Sequence, residues 1–132
     1  MPEFGTTSMR RLQTCDYRLQ FLCCTVVRTY DCSVLEGHRG EILQNSYFNA
    51  TPQRSKVPWP EGMHNSWPSK AVDLAPWPID FEDTARFCHF AGFVQATAVE
   101  LDIPLRWGGD WNRNYVLGDQ DFFDLVHFEL DE

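Results

Sequence analysis

Residues 71–101 read AVDLAPWPIDFEDTARFCHFAGFVQATAVEL, and the period of their apolar residues changes part-way along. Ala71 to Ala75 is a short apolar run broken only by Asp73 and closed by Pro76-Trp77-Pro78, the pattern of a buried strand. From Asp80 the spacing turns helical. Asp80 stands as N-cap, Glu82 and Asp83 place negative charge in the first turn, where the helix dipole favours it, and Phe87, Phe90, Val94, Ala98 and Leu101 recur on one face. The expected element is a core helix of about twenty residues.

Downstream, Ile103 to Trp107 suggests a strand, Gly108-Gly109 a break, and Asp110 to Gln120 a polar, turn-rich loop. Asp124 to Leu130 alternates, with Val126, Phe128 and Leu130 on one side and Leu125, His127 and Glu129 on the other. Upstream, residues 8–30 read as a helical region: Ser8 is the N-cap, Asp16 a second start signal, and Leu19, Leu22, Val26 and Tyr30 keep helical spacing. Asp31 to Leu35 reads as a short strand. Gly40 to Ala50 reads as a short helix with Ile42, Leu43 and Tyr47 as its apolar contacts. Thr51 to Ser69 is irregular, punctuated by Pro52, Pro58, Pro60, Gly62 and Pro68; loops of this length in compact domains are commonly functional, and Trp59 and Trp67 favour an ordered one. The expected fold class is α+β, a small antiparallel sheet packed against the long core helix.

The chain has 132 residues, the size of one domain. A chain this long folds without a disulfide or metal, so a metal site here points to catalysis. Hydrophobic residues at 43% exclude intrinsic disorder. With 19 acidic against 11 basic side chains the net charge is −8, which argues against nucleic-acid binding and against adsorption to anionic membranes. Cys15, Cys23, Cys24, Cys32 and Cys88 are odd in number and contain no C-x-x-C pair, so they read as reduced thiols of a protein made in the cytoplasm. The apolar run Phe21 to Val27 lacks a cationic leader and is too short to span a membrane; neither a signal peptide nor membrane insertion is expected. Asn49-Ala50-Thr51 matches a glycosylation acceptor by chance.

Two polar residues sit where polar residues are costly. Asp73 lies within an apolar strand, where an ionised carboxylate needs a cation or several donors. His127 lies between Val126 and Phe128 in a segment that otherwise reads as core. His64 precedes Asp73 by nine residues, in the proline-rich loop. Two histidines and one carboxylate make the ligand set of a catalytic zinc site with a fourth position open, although this spacing alone is not diagnostic. His89 reads as a packing or surface residue of the core helix and His38 as a turn residue. H-E-x-x-H, G-x-S-x-G and phosphate-binding glycine loops are absent.

The chain resembles the zinc D-Ala-D-Ala carboxypeptidase and dipeptidase family, and within it the bacteriophage endolysin branch of L-alanyl-D-glutamate peptidases. The resemblance rests on Pro60 to Asn65, Pro68 to Pro76, Pro78 to Asp80, Arg106 to Trp111 and Asp124 to Leu130, with weaker similarity at Ser8 to Leu12 and Val34 to Gly40. It implies a D-Ala-D-Ala-peptidase-like, hedgehog-type zinc fold, with residues 1–132 as a single catalytic domain and no separate cell-wall-binding domain. It further implies zinc held by His64, Asp73 and His127, with Asp124 as the catalytic carboxylate. By strand alternation Glu129 competes with Asp124 for that role. Arg39 matches a family arginine placed to stabilise the substrate or a developing oxyanion, with a surface salt bridge as the alternative.

Gly62 and the nine-residue spacing from His64 to Asp73 depart from many relatives; a phage-like subgroup shares the longer spacing. Asn112 and Asn114 stand where relatives often carry aspartates, so the loop with Asp110, Asp119 and Asp121 reads as solvated and acidic, with an auxiliary calcium site as the alternative. Trp59, Trp67, Trp107 and Trp111 are candidates for groove walls, with packing as the alternative. The implied function is hydrolysis of an amide bond in a peptidoglycan stem peptide by a phage endolysin, monomeric and resident in the host cytoplasm until a holin or similar factor gives it access to the wall. A D-Ala-D-Ala carboxypeptidase or dipeptidase of wall metabolism, and a non-catalytic wall-binding or virion module, are the alternatives.

Overall fold

Asp16 starts a helix as expected, its carboxylate accepting from the backbone N–H of Arg18. In the computed structural model, which describes residues 1–120 and 123–132, the N-terminal helical region is therefore two helices, α1 (Thr6–Leu12) and α2 (Tyr17–Val27). Ser8 does not cap α1, which begins after Gly5. Its hydroxyl instead accepts from Val34 N at 3.0 Å and ties the helix to the first strand, β1 (Cys32–Glu36). The chain continues through α3 (Glu41–Phe48), β2 (Ala71–Pro76), α4 (Thr84–Glu100), β3 (Leu105–Gly108) and β4 (Asp124–Leu130).

α4 is the expected core helix at 17 residues, but its N-cap is Asp83 rather than Asp80. Asp80 accepts from Glu82 N at 3.0 Å and builds the turn before the helix, a use of aspartate that competes with capping. Phe87, Phe90, Ala91, Val94 and Ala98 form its buried face.

The four strands form one antiparallel sheet in the order β1-β2-β4-β3, so the last strand in sequence lies inside the sheet. Register pairs Val72 with Phe128 and Asp73 with His127, while Glu36 lies opposite Asp73. Because side chains alternate along a strand, this register separates two faces. Val72, Leu74, Phe128 and Leu130 are fully or almost fully buried in a core shared with α2 and α4. Phe90 meets Phe128 edge-to-face at 6.4 Å. On the opposite face Glu36, Asp73 and His127 form a row across three strands, beneath the loop of residues 51–69. β2 is buried along its whole length, helices on one face and this loop on the other. All five cysteines are free.

Candidate metal centre

Strand pairing alone brings Asp73 and His127 together; His64 has to be delivered by the loop. Its imidazole Nδ1 donates to the carbonyl of Gly37 at 2.7 Å, and its own carbonyl accepts from Arg39 N at 2.8 Å. Gly37 permits this crowding at the end of β1, since a Cβ there would stand 2.3 Å from Arg11 O and Thr14 Oγ1. His64, Asp73 and His127 are all buried.

Their ligand atoms converge. His64 Nε2 lies 3.1 Å from Asp73 Oδ1 and 3.3 Å from His127 Nδ1, and His127 Nδ1 lies 3.4 Å from Asp73 Oδ1. With metal bonds of the usual length, the ligands of a tetrahedral zinc stand about 3.3 Å from one another. The hydrogen bonds decide which nitrogens carry protons. Gly37 O only accepts, so His64 Nδ1 bears its hydrogen and Nε2 presents a lone pair. His127 Nε2 bonds the Glu129 carboxylate at 2.8 Å, so the lone pair of the neutral ring is on Nδ1. Once the Nδ1 proton of His127 is displaced, three lone pairs face one point, the arrangement a cation requires. The group can hold a metal ion, in agreement with the ligand set expected from the sequence.

Electrostatics carry the same mark. Burial opposes a charged imidazole at His127, yet hydrogen bonds to Asp73 and Glu129 and the charges of Asp73 and Asp124 prevail, pushing its pKa up to about 10. Burial also opposes the Asp73 carboxylate, but the two histidines hold its pKa well below the usual aspartate range. Asp124 goes the other way, raised by burial and then by the negative charge of Asp73. It lines, with His64, His127, Glu129 and Trp111, an open cavity of about 420 Å³.

The sequence matches the family described as phage L-alanyl-D-glutamate peptidase over residues 2–131. The chain belongs to that family. It is therefore a peptidoglycan-cleaving peptidase of the endolysin type. Among solved structures it is similar to the L-Ala D-Glu endopeptidase ChiX of Serratia marcescens, with a TM-score of 0.74 and 22% identity over 98% of this chain and 90% of that one. This likeness shows a shared fold, and the α+β, D-Ala-D-Ala-peptidase-like architecture expected from the sequence is the one observed. No curated protein matches the chain. No described helix is long and apolar enough to cross a membrane.

In the peptidase, Arg39 is buried rather than a surface residue. Its Nε and Nη2 donate to the two oxygens of Glu36 at 2.9 and 2.8 Å, its Nη1 donates to Gln44, and Nη2 stands 3.8 Å from Asp73 Oδ2. Sequence reading missed Gln44. Of the expected apolar contacts of α3, Ile42 and Leu43 are instead exposed, Ile42 at 89%, and Tyr47 is half-buried, whereas Gln44 is fully buried. All four hydrogen-bonding positions of its amide are used: Oε1 accepts from Arg39 and Asn65, and Nε2 donates to Ser55 Oγ and Val57 O. Gln44 therefore joins α3, the Arg39 turn and two parts of the loop. Gln44→Leu, which keeps volume but orphans buried donors, is expected to lower stability by about 2–3 kcal/mol in a denaturant titration.

The four tryptophans divide. Trp107 belongs to the core, its Nε1 donating to Leu125 O at 2.9 Å. Trp111 lines the peptidase cavity and packs on His127 with ring centroids 5.6 Å apart. Trp59 and Trp67 are exposed, Trp67 lying edge-on to His38. His89 is a helix residue hydrogen-bonded to Tyr30. The 110–120 loop is not simply solvated: Asp110 is buried and accepts from Asn114 N and Tyr115 N, and Asp119 accepts from Asn112 and Asn114. Asp121 lies outside the described residues.

Proposed function

We propose that the chain hydrolyses the L-alanyl-D-glutamate amide of peptidoglycan stem peptides, with zinc held by His64, Asp73 and His127 and with Asp124 as the proton-transfer group. The observation that carries this reading is the convergence of three ligand atoms beside a carboxyl group of raised pKa, in a family of wall peptidases. Two imidazoles and one carboxylate suit zinc and leave a position open. Bound there, zinc polarises a carbonyl and makes water acidic enough to serve as nucleophile at neutral pH.

The chain's own residues supply the rest. Asp124 takes the proton of the attacking water and returns it to the departing amine; a carboxylate held above its ordinary pKa is a stronger base for the first step and a usable acid for the second. Glu129 fixes the ring of His127 and the proton on Nε2. Arg39 has used three of its five N–H donors, and we assign to the remaining two the stabilisation of negative charge growing on the carbonyl oxygen. We assign a monomeric enzyme, with access to the wall given by a holin or similar factor.

Mass spectrometry of stem peptides after digestion tests the bond. New amino-terminal D-glutamate is expected, whereas release of terminal D-alanine would replace this reading with a carboxypeptidase. Metal affinity carries a second test. Hydrogen bonds to Asp73 and Glu129 favour the protonated ring of His127, so a metal must displace a proton there, and affinity is expected to rise with pH, with proton uptake by the buffer. A competition titration giving a flat profile would remove His127 from the ligand set.

A further inference from the structure

Arg54, Ser55, Lys56 and Val57 are consecutive and all line the cavity that contains His64, Asp124 and His127. This wall is fixed from behind. Gln44 Nε2 donates to Ser55 Oγ at 2.7 Å and to Val57 O at 2.6 Å, and Arg54 N donates to Tyr47 O at 3.0 Å. Two guanidinium groups lie against the Tyr47 ring, Arg39 at 4.7 Å and Arg54 at 4.0 Å from its centroid. They differ in what else they touch. Arg39 is committed to Glu36 and Gln44, whereas Arg54 is exposed and, among the described residues, has no carboxylate partner.

An arginine with no acid partner, in a chain of net charge −8, stands in the same cavity as the metal-ligand group. Asp124 and Glu129 line that cavity near the histidines, and Glu61 also lines it, so an anionic substrate group is repelled there and favoured at the cationic wall. The substrate brings such a group. A glutamyl residue has two carboxyls; the peptide continues through one, and the other remains a free anion unless it is amidated. In an L-alanyl-D-glutamate segment that anion lies within a few bonds of the scissile nitrogen and enters the cavity with it.

We propose that Arg54, seated on Tyr47 and flanked by Lys56, binds the free carboxylate of the D-glutamyl residue and so selects stem peptides in which that group is not amidated. The proposal rests on the L-alanyl-D-glutamate reading above. A guanidinium matches a carboxylate with two parallel N–H donors, a geometry that an amide satisfies poorly. The ring of Tyr47 holds the side chain in place before substrate arrives, which reduces the ordering cost of binding.

Two synthetic tripeptides, L-Ala-D-Glu-L-Lys and its counterpart with the free glutamyl carboxyl amidated, test this with the zinc-loaded enzyme. The wild type is expected to prefer the carboxylate peptide by about tenfold in kcat/KM. Arg54→Met should abolish the preference by raising KM for that peptide, with the amidated peptide unaffected, and Arg54→Lys should restore part of it. Calorimetric binding of both peptides to zinc-loaded Asp124→Asn should give the same pattern without turnover. If Arg54→Met weakens both peptides equally, or leaves the preference intact, the subsite is wrong although the peptidase reading survives. If the wild type cleaves neither peptide, the L-alanyl-D-glutamate reading fails and takes the subsite with it.

Discussion

Asp124→Asn is expected to lower the rate of wall lysis by about 10²–10⁴-fold while leaving the metal content unchanged. The substitution keeps the shape of the side chain and removes its capacity to accept a proton. Shape matters because β3 approaches Asp124 very closely: a Cβ on Gly108 would come within 2.1 Å of the Asp124 backbone carbonyl oxygen and 3.1 Å of its Cβ. A variant that distorted this contact would confuse folding with chemistry. Turbidity loss of purified walls, measured beside the metal content of the same preparation, separates the two. Full lytic activity in Asp124→Asn would transfer the proton-transfer role to another group, with Glu129 the first to examine because it lies on the same strand face as His127.

Asp73→Asn is expected to weaken metal binding by more than about a hundredfold and to abolish lysis. Loss of an outer-shell partner typically costs 10–100-fold in affinity, and here an anionic ligand itself is lost. Asp73 is the hub of the site, facing both imidazoles at 3.1 and 3.4 Å and the Arg39 guanidinium at 3.8 Å. Without its charge, a cation at this point has two neutral nitrogens and a nearby arginine. Metal retained at one equivalent after dialysis of Asp73→Asn would contradict the ligand assignment. A matched thermal melt shows whether the sheet still forms, since Asp73 lies in a strand buried on both faces.

Asp73 and His127, candidate metal ligands, stood out in the sequence because they are expensive where they stand. An aspartate inside AVDLA and a histidine between Val126 and Phe128 each need a compensating partner, and the apolar residues on either side announce that need. The long helix and the alternating last strand were legible through their periods. Gln44 was hidden for the opposite reason. Ile42 and Leu43 suggested that α3 faces an apolar core, yet the helix packs against an irregular loop whose backbone groups demand polar partners, and a glutamine meets that demand. Ser8 and Asp80 were read as caps because each is a good capping residue. Val34 N claims the first and Glu82 N the second, a competition settled by tertiary and turn contacts that spacing does not encode. Arg54 carried no signal, since one more arginine in a proline-rich loop resembles any solvated charge.

The last strand in sequence lies inside the sheet, between β2 and β3. His127 rides on it, 63 residues along the chain from His64. Earlier elements can collapse around α4 and still present only a histidine and an aspartate to a passing ion. Completion of the metal centre therefore waits for long-range strand insertion, the slow kind of folding event. Metal uptake followed during refolding is expected to lag behind helix formation and to report closure of the sheet, because the candidate site lacks His127 until the final strand has found its place.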